Sequence, residues 1–132
     1  MPESHSHLVF AYGTLMRGDC RFYLLQNQEF LGEASTVPGY RIVNCGSYPG
    51  LLLAPDSPQQ VDGEVWAVTA QCLQRLDEEE GVDAQLYERR PIRLEGDFSE
   101  ANVEAYFYLP NASQLPDCGR SWQTFRRNFS GN

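Results

Sequence analysis

Lysine is absent from this chain: all ten of its basic residues are arginine. That excludes a Schiff-base lysine and the lysine of a P-loop. Histidine occurs only at His5 and His7, inside MPESHSH, which reads as a short disordered lead-in over residues 1–7. The four cysteines, Cys20, Cys45, Cys72 and Cys118, are far apart, with no CxxC pair. No zinc site and no internal Ser-His or Cys-His pair is therefore expected, and the cysteines are expected to be buried and reduced. Positive charge is scarce, with a formal net charge of −8, so no basic face for nucleic acid is expected. No apolar run reaches the ~18 residues of a membrane span, and no apolar signal core opens the chain. A cytoplasmic protein without a membrane partner follows as the expectation.

What is present suits one globular domain over residues 1–132: 42% hydrophobic and 21% charged residues. Strand candidates are HLVFAY, FLGEAST, YRIVNCG, VDGEVWAV, LYERRPIRL and VEAYFYL. Pro91 pushes the fifth of these towards a sheet edge. SYPGLLLAPDSPQQ carries five turn formers and reads as partly irregular. Asp19 can cap a short helix over CRFYLLQNQ. Thr69 caps a second helix, AQCLQRLDEEE, which Gly81 stops. The tail reads as a loop with an amphipathic turn at Trp122, Phe125 and Phe129. The fold class is α+β: a compact mixed β-barrel or sheet of about six strands flanked by two or three helices.

Two short stretches stand out. LDEEEG resembles a solvated acidic run, but helix geometry separates its members. With Leu73 at zero, Leu76 lies near about 300° and Glu80 near about 340°, while Glu78 and Glu79 point away at roughly 100° per residue. Glu80 thus shares the apolar stripe. A carboxylate there either swings out to water, pairs with Arg89 or Arg90, or has its pKa raised by burial, as a general base working near neutral pH requires. Asp77 suits local hydrogen bonding at the helix end. The second stretch, Tyr12-Gly13-Thr14-Leu15, ends a strand in glycine. Glycine allows a sharp turn or a close backbone approach, and successive amides there can form an anion site. Arg17 and Asp19 are expected at the surface.

Together, these motifs resemble the gamma-glutamylcyclotransferase-like superfamily, and especially its gamma-glutamylamine cyclotransferase (AIG2-like) branch. The resemblance spans roughly residues 8 to 110. It rests on Phe10-Ala11-Tyr12-Gly13-Thr14-Leu15 with Arg17-Gly18, on Tyr48-Pro49-Gly50, Gly63-Glu64-Val65-Trp66, Leu76-Asp77 with Glu80-Gly81, and on Tyr87 with Arg89. It implies a small mixed β-barrel ringed by helices. It implies that the turn at Tyr12, Gly13, Thr14 and Leu15 holds the glutamyl part of a small γ-glutamyl substrate, and that Glu80 is the catalytic acid/base. The implied reaction releases 5-oxoproline and a free amine and needs no cofactor or metal. The amides of Gly13 to Leu15 then bind either the α-carboxylate or the developing oxyanion. Tyr87 and Tyr108 are further candidates for the substrate pocket, with Tyr106 on the same strand face as Tyr108. After Arg17-Gly18 this chain has Cys20-Arg21-Phe22-Tyr23, where branches of the family often carry polar residues, so the amine portion stays open. The alternative is a non-catalytic module that binds a small carboxylate or a protein partner on the same fold, with Arg17 exposed.

Overall fold

The computed structural model describes residues 4–130. Seven strands form one mixed sheet: β1 His7–Ala11, β2 Glu29–Ser35, β3 Tyr40–Asn44, β4 Pro49–Leu53, β5 Asp62–Val68, β6 Tyr87–Ile92 and β7 Val103–Tyr108. Two α-helices accompany them, α1 Ala70–Glu79 and α2 Trp122–Ser130. The strand order is β2-β5-β1-β7-β4-β3, with β6 added to β7.

β1 lies at the centre of this sheet. It pairs antiparallel with β5, from His7 opposite Val68 to Ala11 opposite Glu64. It pairs parallel with β7 through Leu8 and Val9. Because side chains alternate along a strand, β1 feeds two cores. Phe10 joins Val65, Ala105 and Phe107 on one face, and Val9 and Ala11 join Trp66, Val68 and Tyr106 on the other. A sheet buried on both faces needs cover on both. α1 brings Cys72, Leu73 and Leu76 to the second face, and Trp122 of α2 fills the first.

β7 is where the sheet branches. One of its edges pairs with β6 over its full length, from Val103 opposite Ile92 to Tyr108 opposite Tyr87. Its other edge takes β1 at Val103–Glu104 and then β4 at Phe107. β6 pairs with β7 alone, which gives Pro91 the edge position that its missing N–H demands.

Several expectations are corrected here. β2 and β3 end the strand order without pairing, so the sheet does not close into a barrel. β4 is a seventh strand inside SYPGLLLAPDSPQQ; its Pro49 and Gly50 pair with Asn44 and Val43 in a hairpin. The helix expected after Gly18 shrinks to a 3-10 turn, Phe22–Leu25, after which Asn27 takes a left-handed conformation (φ 69°). Asp19 does not cap it. Its carboxylate accepts from the Cys20 amide at 2.7 Å and from Arg126 at 2.6 Å, and its side chain is only 4% exposed rather than at the surface. The lead-in expected over residues 1–7 overlaps β1, because His7 already belongs to the ladder; residues 1–3 lie outside the described residues. In the tail a nine-residue helix replaces a single turn, and Phe125 stacks on Trp122 at 5.9 Å. The side chain of Phe129 lies outside the described residues. Of the cysteines expected to be buried, Cys72 and Cys118 are, whereas Cys45 is half-buried and Cys20 is exposed. Among those residues, no helix is long and apolar enough to cross a membrane.

Candidate active site

Local chemistry sets both ends of α1. The Thr69 hydroxyl accepts the Cys72 amide at 3.1 Å, closing the N-terminus. At the other end Gly81 adopts φ 70°. Its amide donates to Glu78 O and that of Val82 to Asp77 O, the paired bonds of a Schellman stop. Glu80 is the residue just before that glycine. It is the helix C-cap rather than part of the last regular turn, and its backbone still bonds to Leu76 O at 2.9 Å. Its side chain therefore keeps the direction of the Leu73–Leu76 stripe and is half-buried.

That direction leads into a cavity of about 60 Å³. Across the cavity lies the end of β1. Tyr12, Gly13, Thr14 and Leu15 are all buried and all line it, together with Tyr48, Pro49, Tyr87, Tyr106, Arg21 and Glu79. The turn closes through Met16 N–H donating to Gly13 O at 3.1 Å. Among the described residues, no acceptor takes the amide hydrogens of Gly13, Thr14 or Leu15. Buried amides without a partner are rare and costly, so this turn is suited to an anion.

Gly13 is needed here for a reason other than turn geometry. It is not among the residues of positive φ. A Cβ placed on it would sit 2.6 Å from Pro49 Cγ and 2.9 Å from Pro49 Cδ. Glycine thus lets the turn pack directly onto β4, which forms the next wall of the cavity.

The tyrosine hydroxyls are already engaged. Tyr12 donates to Tyr106 O at 2.7 Å, Tyr87 to Pro49 O at 2.6 Å, and Tyr106 to Asp77 Oδ1 at 2.7 Å. Burial pushes all three phenols far above their ordinary range, so they stay protonated and offer ring surface rather than basicity. Tyr108 does not line the cavity; its ring packs edge-on against Tyr87 at 5.5 Å. Tyr106, two residues earlier on the same face, takes that place.

Glu80 differs from these. Its carboxyl is pushed up to about 7, chiefly by burial; Arg21 opposes this and Glu79 adds to it. No described residue hydrogen-bonds or ion-pairs with its carboxylate. Arg89, which sequence offered as a partner, bonds instead to Asp77 at 3.1 Å and lies 3.4 Å from Glu104. Arg90 pairs with Glu88. Asp77, held by Tyr106 and Arg89, anchors the last turn of α1, the local role that its position suggested.

Two residues carry more than their sequence context showed. Arg21 lines the cavity, and its only signal was a cation shortly after the glycine turn in an acidic chain. Glu64 is 4% exposed. It accepts from the backbone N–H of Arg17 at 3.0 Å, from Arg17 Nε at 2.9 Å and from Trp66 Nε1 at 3.2 Å. The Arg17 guanidinium also lies 3.9 Å over the Phe30 ring. Arg17 is exposed as expected, yet it serves to tie the far end of the turn to β5. No group of three or more His, Cys, Asp or Glu among the described residues is placed to hold a metal ion.

Residues 9–124 match the family described as gamma-glutamyl cyclotransferase, AIG2-like. A Vibrio cholerae protein that carries the provisional name gamma-glutamylcyclotransferase is 37% identical over 113 residues, covering 86% of this chain and 93% of that one. The gamma-glutamylaminecyclotransferase of Homo sapiens is 37% identical over 95 residues, covering 67% of this chain and 61% of the human one. The crystal structure of an AIG2-like protein from Mus musculus superposes with a TM-score of 0.71 at 27% identity, covering 86% of each chain.

Proposed function

The chain belongs to the gamma-glutamyl cyclotransferase, AIG2-like family, and from that premise we propose a reaction and a division of labour in its cavity. The substrate is a γ-glutamyl amine or γ-glutamyl peptide. Its own α-amine attacks its γ-carbonyl. A lactam C–N bond forms, the bond to the leaving amine breaks, and the products are 5-oxoproline and that amine.

This chemistry asks little of the protein. The nucleophile belongs to the substrate, so no catalytic serine, cysteine or lysine is required. The α-amine arrives protonated, and one base must take its proton. Glu80 does this and returns a proton to the departing amine. A carboxyl near neutrality can act in both directions, whereas one at its ordinary value is a poor acid at pH 7. The turn at Gly13 to Leu15 holds the substrate's α-carboxylate or the developing oxyanion with its unpaired amides. The rings of Tyr12, Tyr87 and Tyr106 confine the glutamyl chain in a bent form. The attack is already intramolecular, so what the cavity adds is the freezing of the glutamyl chain in the bent, reactive form.

The observation that carries this reading is the placement of Glu80. A half-buried carboxyl with no partner, pushed up to about 7, borders the same cavity as a turn with free amides. The test is incubation with a panel of γ-glutamyl amines and dipeptides, with both products identified. Equal amounts of 5-oxoproline and free amine are expected. Glutamate in place of 5-oxoproline would make the enzyme a hydrolase, and no product from any member of the panel would leave only binding.

A further inference from the structure

Resting on the cyclotransferase reading, we infer that Arg21 binds a carboxylate of the substrate and restricts the cavity to compounds that carry one beside the reacting centre. Arg21 is the one cation that lines the cavity among the described residues, together with two acids, Glu79 and Glu80. It is fixed at both ends. Its backbone N–H donates to Thr14 O at 2.9 Å, tying it to the glycine turn. Its Nη1 donates to Glu79 O at 3.1 Å, tying the guanidinium to the end of α1.

This leaves Nε and Nη2 without a partner among the described residues. Those two donors form one edge of the planar guanidinium, the edge that grips a carboxylate with two parallel bonds. The setting gives that edge a purpose. The chain carries a net charge of −8, and a substrate carboxylate brought into a cavity lined by Glu79 and Glu80 is repelled unless a cation offsets them. A neutral side chain at position 21 would leave the cavity with carboxylates alone.

Two carboxylates fit the same chemistry: the glutamyl α-carboxylate, and one borne by the leaving amine. The test separates them with two probes on the full chain. In γ-glutamyl-n-butylamine the α-carboxylate is the only one, and γ-glutamylglycine adds a second on the leaving group. Steady-state kinetics and ligand-induced thermal stabilisation are measured for the wild type, Arg21→Gln and Arg21→Lys. Arg21→Gln is expected to raise KM roughly 10- to 100-fold, the range set by a hydrogen bond to a charged group, with a much smaller change in kcat. Arg21→Lys is expected to recover part of the loss, since it keeps the charge without the fork.

A rise with both probes assigns Arg21 to the α-carboxylate, and a rise with γ-glutamylglycine alone assigns it to the leaving group. A KM unchanged for both overturns the inference while leaving the reaction standing. Stabilisation that Arg21→Gln abolishes, without any 5-oxoproline from the wild type, supports the carboxylate site and sinks the reaction instead. If neither probe stabilises the wild type, the inference is overturned. Should Arg21→Gln fail to fold, Arg21→Lys decides, because a carboxylate fork predicts a KM increase there too.

Discussion

Replacing Glu80 by glutamine should stabilise the protein, and by an amount that depends on pH. The carboxyl is pushed from 4.5 to about 7, mainly by burial. The folded state therefore holds its proton more tightly than the unfolded chain. Stability from this group is fully present below pH 4.5 and is lost as pH rises through about 7. At about 1.4 kcal/mol per pH unit, the loss reaches roughly 3 kcal/mol above neutrality. That is an upper bound, since the side chain is only half-buried and solvent screens part of the cost. Glutamine has nearly the same shape and stays neutral, so the variant avoids the loss. The assay is thermal unfolding of wild type and Glu80→Gln from pH 4 to 8.5. Other titrating groups are common to both proteins and cancel in the difference. The two melting curves should nearly coincide at pH 4. They should separate between pH 4.5 and 7, with the variant higher by up to roughly 10 °C at pH 8, given a few degrees per kcal/mol for a domain of this size. A difference that stays flat with pH would show the carboxyl swinging freely in water and would refute the reasoning.

Three further outcomes follow from the same geometry. The wild-type kcat/KM should rise with pH through an apparent pKa near 7, because the base must be ionised; Arg21→Gln should move that midpoint upward, since Arg21 holds the carboxyl down, and a pH–rate profile from 5 to 9 reads both. Gly13→Ala would force a Cβ to 2.6 Å from Pro49 Cγ, so it should cost about 1–3 kcal/mol and raise KM as the turn shifts, measured by denaturant unfolding and steady-state kinetics. Tyr87→Phe removes the 2.6 Å bond to the buried Pro49 carbonyl, for an expected loss of about 1–3 kcal/mol by the same unfolding assay.

The parts legible from sequence were those decided within one element. Thr69, Gly81 and the apolar stripe of α1 obey local rules, and that is why a helical wheel separated Glu80 from Glu78 and Glu79. The parts that were not legible depend on contacts distant in sequence. Gly13 is fixed by Pro49, a neighbour only once β4 joins the sheet. Pro49 and Gly50 read as turn formers, yet they pair with β3 because a two-strand hairpin can start on such residues. The strand alternation gave the correct face for Tyr106 and Tyr108, but not which of the two reaches the cavity, since that depends on depth along β7. Asp19 is buried by Arg126, 107 positions away, and Arg89 chose Asp77 over Glu80 through the register of β6. Arg21 was visible only as an oddity of composition until Thr14 and Glu79 were seen to hold it at the cavity.

Release of 5-oxoproline at pH 8 by the wild type and Glu80→Gln, side by side on the same γ-glutamyl amine, tests the central claim most directly. The wild type should form 5-oxoproline and amine in equal amounts. The variant should be slower by roughly 10²- to 10⁴-fold, the usual contribution of general acid–base catalysis, while remaining folded. A folded variant with near-normal kcat would contradict the assignment of Glu80 as the proton carrier.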